Sequence, residues 1–186
     1  IKAVDRAGNV SSVGTRQWVV DLTNPTVTIA TPDPASASHE QAITFTMNEV
    51  GTAACSLDGG DFTPCTSPAN FTGLDEGQHT VVVRATDRAG NVGTKSTSWA
   101  VDLTAPVVAF TTTPDALSNA TSPTFDVSIS EGHTSLWCNV DAAGWAPCSR
   151  PVRLTGLADG DHTFAIRAID FAGNRGAAIT HEWSIE

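Results

Sequence analysis

The chain has 186 residues, 40% of them apolar, and none of its apolar runs approaches the roughly 18 residues that a membrane-crossing helix needs. Twenty acidic against ten basic side chains give a net charge of -10, a surface that repels nucleic acid and anionic membranes and suits divalent cations. Abundant Gly, Pro and Thr, with lysine only at Lys2 and Lys95, exclude a helical chain and favour many short strands joined by turns.

In chain order, the first recognisable phrase is AVDRAGNV at 3–10, which returns as ATDRAGNV at 85–92 and AIDFAGNR at 168–175. Asp5, Asp87 and Asp170 stand at steps of 82 and 83, and Trp18, Trp99 and Trp183 at steps of 81 and 84. The repeat unit is therefore about 82 residues. Residues 1–23 are expected to be the closing F–G hairpin of a preceding unit, 24–104 one complete unit and 105–186 a second. The three tryptophans fall on the closing strand and are expected to plug a core.

Next comes VDLTNP (20–25), matched by VDLTAP (101–106), a short linker that Pro25 and Pro106 stiffen. Asp21 lies in the first linker, Glu49 in the following B–C loop (MNEVG), and Asp87 at the head of the F–G turn. Asp102, Glu131 and Asp170 repeat the set. In a sandwich the B–C and F–G loops share the end that faces the incoming linker. Each set is thus expected to converge and offer calcium half or more of its six to eight oxygens. The competing reading is that an Asp before Gly-Asn bonds its own turn backbone.

Cys55 and Cys65 (CSLDGGDFTPC) have nine residues between them, as do Cys138 and Cys148 (CNVDAAGWAPC). There are no C-x-x-C knuckles for zinc. A pair recurring on a hairpin reads as a disulfide, hence an oxidising compartment. Trp137 and Trp145 flank only the second pair. They either pack around the disulfide or present an aromatic surface to a sugar ring.

The strand HTVVVRATD (79–87) alternates: His79, Val81, Val83 and Ala85 share one face, Val82, Arg84 and Thr86 the other. HTFAIRAID (162–170) repeats this with Phe164, Ile166 and Ala168 inward. His79 and His162 are expected to be corner residues bonded to backbone. Seven short strands per unit, separated by turns such as 58–60, 75–77 and 89–91, indicate a β-sandwich. No nucleophile elbow or phosphate-cradling loop occurs, and the chain is read as non-catalytic.

The stretch NEVGTAACSLDGGDFTPCTSPANFTGLDEGQHTVVVRATDRAGN (48–91), its counterpart at 130–174 and the VDLTAP linker resemble bacterial immunoglobulin-like repeats. Such repeats are strung in tandem on large secreted and surface-attached proteins, adhesins among them. The resemblance covers essentially the whole chain. It implies an all-β fold of tandem seven-stranded Ig-like sandwiches, at the cell surface or outside the cell. The implied role is a stalk or spacer, sometimes a ligand-binding module, whose partners are neighbouring domains of one longer chain. Related arrays stiffen their junctions with calcium. A module that binds glycans or a host surface, or an accessory domain of a secreted hydrolase, is the alternative. The resemblance departs at the cysteines, which sit on a C–C′ hairpin and not across the sheets. It departs too at His79 and His162, which stand where many sandwiches keep a corner tyrosine.

Overall fold

A computed structural model describes residues 1–186, and it is all-β, with no helix. Between residues 27 and 101 lie β1 (Val27–Ile29), β2 (Ala35–Ser36), β3 (Gln41–Ile43), β4 (Phe45–Met47), β5 (Gly51–Leu57), β6 (Thr63–Pro64), β7 (Ala69–Phe71), β8 (Gly77–Asp87) and β9 (Val92–Val101). Between 108 and 185 lie β10 (Val108–Thr112), β11 (Leu117–Ser118), β12 (Thr124–Ile129), β13 (Ser135–Val140), β14 (Ala146–Cys148), β15 (Val152–Arg153), β16 (Gly160–Ile169) and β17 (Ile179–Ile185). Where the sequence pattern predicts seven strands per unit, the structure has nine segments and eight, partly because one expected strand splits. β3 pairs with β7 and β4 with β1, so the chain changes partner at Thr44.

One layer of the first sandwich is the five-stranded sheet β2-β9-β8-β5-β6; the other is made by the pairs β1-β4 and β3-β7. In the second sandwich β11-β17-β16-β13-β14 faces β10-β12-β15. The period-two pattern of the long strand places its residues as the alternation requires. Val81, Val83 and Ala85 are fully buried, as are Phe164 and Ala168. Two apolar clusters result, one around Trp99, Val81 and Ile43, the other around Trp183, Phe125 and Phe164. Phe125 and Phe164 pack with ring centroids 4.3 Å apart and their planes tilted by 30°.

Residues 1–23 differ from the rest. The AGN turn closes on a single bridge, Val4 to Val10, and no strand continues from it. Trp18, expected as a core plug, is 78% exposed, with Val13, Val19 and Leu22 exposed beside it. The physical reason is the lack of an opposing layer: Trp99 and Trp183 are buried by the strands of their own sandwiches, and none lies over Trp18.

Both cysteine pairs form disulfides, Cys55–Cys65 and Cys138–Cys148, with Cα atoms 5.7 and 5.8 Å apart. Each cross-links the two arms of the hairpin at one edge of its five-stranded sheet, β5 to the end of β6 and β13 to β14.

Candidate functional site

The linker, B–C loop and F–G turn meet as the sequence implies. Carboxylate oxygens of Asp21, Glu49 and Asp87 lie within 4.8 Å of one another, and so do those of Asp102, Glu131 and Asp170. Asp87 and Asp170 are buried, whereas Asp21 is exposed.

The turn-bonding role of the aspartate is also realised. Asp87 Oδ1 accepts the backbone N–H groups of Ala89, Gly90 and Asn91 at 2.7–2.9 Å, and its Oδ2 accepts from Asn91 Nδ2. Asp170 Oδ1 accepts from Gly173 and Asn174, and its Oδ2 from Asn174 Nδ2. Asp5 does the same in the opening turn. The two roles are compatible, because a carboxylate has about four lone-pair sites. Oδ1 of Asp87 is saturated and Oδ2 retains one. The Asn91 side chain, aided by the turn N–H groups, holds the Asp87 carboxyl below its ordinary range, so it stays ionised.

At the second junction a fourth acid joins in. Thr104 Oγ1 donates to the carboxylate of Glu76, from the turn at the far end of the first sandwich. Glu131 feels the crowding. Burial, and then the charges of Asp102, Asp170 and Glu76, push its carboxyl above the ordinary range. Its Oε1 is shut off from solvent and has no hydrogen-bond partner. The donor set is all oxygen with no His or Cys, which fits a hard cation such as calcium and not zinc.

Asn91 and Asn174 add a contact that the carboxylate reading missed. Besides its own turn aspartate, each Nδ2 donates to the linker backbone: Asn91 to the Asp21 carbonyl at 3.1 Å, Asn174 to the Asp102 carbonyl at 2.7 Å. One amide therefore ties turn to linker, using both of its hydrogens. The third letter of the recurring AGN was the available signal.

His79 and His162 bond backbone, as expected, and more. Nε2 of His79 faces the Asp75 carbonyl at 2.8 Å and Nδ1 faces Asp58 Oδ2 at 2.7 Å. His162 repeats this with the Ala158 carbonyl and Asp141 Oδ2. Both partners of each ring are acceptors, so the doubly protonated ring satisfies both at once and is the favoured form. The backbone carbonyl first, then the carboxylate, raises the pKa of each histidine above 6.5. Burial works against Asp58 and Asp141, but the bonds from histidine and from the Thr80 and Thr163 N–H groups outweigh it and lower both.

Trp137 and Trp145 lie together on the outer face of the second sandwich. Trp137 stands opposite Pro147 on β14 and Arg167 on β16, and its Nε1 donates to Ser135 Oγ at 3.2 Å. The Arg167 guanidinium sits over the Trp145 ring, 4.0 Å from its centroid. The first sandwich has Arg84 over Phe62 at the same distance, with Ala54 in place of Trp137.

No protein-family model matches the sequence, and no curated protein matches it. Solved structures do. The fibronectin(III)-like modules of Clostridium thermocellum CbhA are 18% identical over 87% of this chain and 94% of theirs, with a TM-score of 0.52. A 1.5-MDa bacterial ice-binding adhesin matches at 14% identity over 89% of this chain and 66% of that one, TM-score 0.48. The FN1–FN3 domains of chicken CNTN1 match at 13% over 100% and 74%, TM-score 0.49. These neighbours include fibronectin(III)-like modules and a bacterial adhesin, and the likeness to the CbhA modules shows the fold to be that of an immunoglobulin/fibronectin-like β-sandwich.

Proposed function

We propose that the chain is a non-catalytic spacer segment of an extracellular or cell-surface fibre of the adhesin type. In this reading residues 24–104 and 105–186 are two Ig-like units, and residues 1–23 are the closing turn of a unit before them. The partners are neighbouring units of the same chain. The carrying observation is that one junction is built twice from the same parts: an aspartate in the linker, a glutamate in the B–C loop, and an Asp–Asn pair in the F–G turn. A one-off site serves a ligand; a joint repeated at each boundary serves spacing.

Calcium is the finer part of the proposal. Asp21, Glu49 and Asp87 would hold one ion, and Asp102, Glu131 and Asp170 another, each replacing mutual repulsion with attraction to a shared cation. Extracellular modules bind calcium at about 10⁻⁴–10⁻³ M. Calcium at tenfold over Kd would stabilise the fold by about 1.4 kcal/mol per site. The test is a thermal melt of the whole chain, disulfides intact, in millimolar calcium and in excess chelator. The expected result is a melting point several degrees higher with calcium, with Asp102→Ala removing part of the rise. Identical melts overturn the calcium reading.

A further inference from the structure

Arg167, like the other arginines of the chain, forms no ion pair, but it alone stands opposite one tryptophan and over the ring of another. Arg167 points outward from the middle of β16, between Trp137 across the strand pair and Trp145 stacked on it. Twenty acidic side chains are available in this sequence, yet the only ion pairs are His79–Asp58 and His162–Asp141. No hydrogen bond reaches the Arg167 side chain, and its Nε is enclosed without an acceptor. A cation held against an aromatic face and left unpaired is poised for an anion, since the guanidinium fork matches a carboxylate in two parallel bonds.

The surroundings narrow the anion. The hairpin that carries Trp145 is fixed to β13 by Cys138–Cys148, so the two indoles and the guanidinium are held before anything binds. Two aromatic rings flanking a cation on a flat sheet suit a ligand with an apolar face and a carboxylate on its rim. A pyranose that bears a carboxyl group has both.

We propose that the Trp137–Arg167–Trp145 face of the second sandwich binds carboxylated sugars, the carboxylate pairing with Arg167 and the ring lying against the indoles. The proposal goes beyond the spacer reading and does not depend on calcium. The first sandwich is a built-in control. It keeps the stacked arginine, Arg84 on Phe62, but has Ala54 where the second has Trp137.

The test is a ¹H–¹⁵N titration of the whole chain with trigalacturonate, in parallel with neutral galactotriose, in low salt and chelator. The expected result is saturable movement of the Trp137 and Trp145 indole signals, with trigalacturonate at least tenfold tighter than galactotriose. Added salt should weaken binding. Arg167→Gln should erase the preference for the acid, and Trp137→Ala should cut affinity tenfold or more, with melting points still close to that of the parent. Arg84→Gln should change nothing. If the indole signals stay still at millimolar trigalacturonate, or if both trisaccharides bind equally, Arg167 is packing for Trp145 and the proposal fails. Should Arg167→Gln unfold the sandwich, Arg167→Lys decides the matter: it keeps the charge and loses the fork, so an unchanged affinity also overturns the proposal.

Discussion

Asp58 and Asp141 show how one side chain holds several elements together. Each sits at positive φ, 50° and 48°, at the tip of the cysteine hairpin, a conformation that costs a non-glycine residue energy. Each offsets it by accepting from a neighbouring strand twice: Asp58 from Thr80 N and His79 Nδ1, Asp141 from Thr163 N and His162 Nδ1. The histidine then reaches on to the turn carbonyl, and its ring lies 5.9 Å from Trp99 or 5.4 Å from Trp183. The pH dependence follows from the directions of the shifts. Because the histidine pKa is raised, its stabilisation is full below about 6.5 and is lost as pH rises through the folded value. Because the aspartate pKa is lowered, its stabilisation is present above about 3.9 and is lost as pH falls through the folded value. Glu131, whose raised pKa penalises the ionised form, also favours the acidic side. Urea midpoints in chelator should therefore peak between roughly pH 4 and 6.5 and decline toward pH 8. The double variant His79→Gln/His162→Gln should be less stable at pH 5.5 and nearly flat from pH 6 to 8. A decline that survives in this variant would place the titration elsewhere.

Among the elements, β9 and the stretch that leads into β17 each depend on a glycine for close approach and not for a turn. A Cβ on Gly93 would stand 1.7 Å from the Pro25 carbonyl oxygen, and one on Gly176 would stand 2.1 Å from that of Pro106. The obstacle is backbone and cannot rotate away. Gly93→Ala and Gly176→Ala should each cost at least about 1–3 kcal/mol, read as a lower urea midpoint. An unchanged midpoint would mean that the linker proline is free to move. These positions also mark the limit of what the sequence discloses. The alternation in 79–87 and 162–170 gives the sheet faces, because burial on one side of a strand enforces period two. The cysteine spacing gives the hairpins, and the recurring acids give the junction sets. Gly93 was not legible, because its role is set by a residue 68 positions away. Nor were Asp58, Glu76 or Arg167, whose partners come together only when strands take their register. Trp18 misled because its sequence context is that of Trp99, while burial depends on strands that do not cover it.

At the scale of the whole molecule, two small sandwiches are joined by a short linker. Each unit is stable through its own core, and its disulfide should add about 2–3 kcal/mol by restricting a loop of this size in the unfolded chain. Those terms say nothing about the angle between units. That angle rests on the few contacts that cross the linker: the convergent acids, the Thr104–Glu76 bond and the asparagine clamp. The clamp can be separated from the fold, since Asn174 Nδ2 makes one bond within its turn and one to the linker. Asn174→Ala removes both but leaves the backbone bonds of the turn largely in place, so each sandwich should stay folded while the joint loosens. Residual dipolar couplings measured separately for residues 27–101 and 108–185 read this directly. In the parent one alignment tensor should fit both sets; in Asn174→Ala the second set should show a weaker and reoriented tensor. Asn9→Ala should leave both sets unchanged, because Asn9 Nδ2 bonds only its own turn aspartate, Asp5. A single shared tensor in Asn174→Ala would assign the stiffness to the acids and the proline, and calcium added to that variant would then have nothing left to restore.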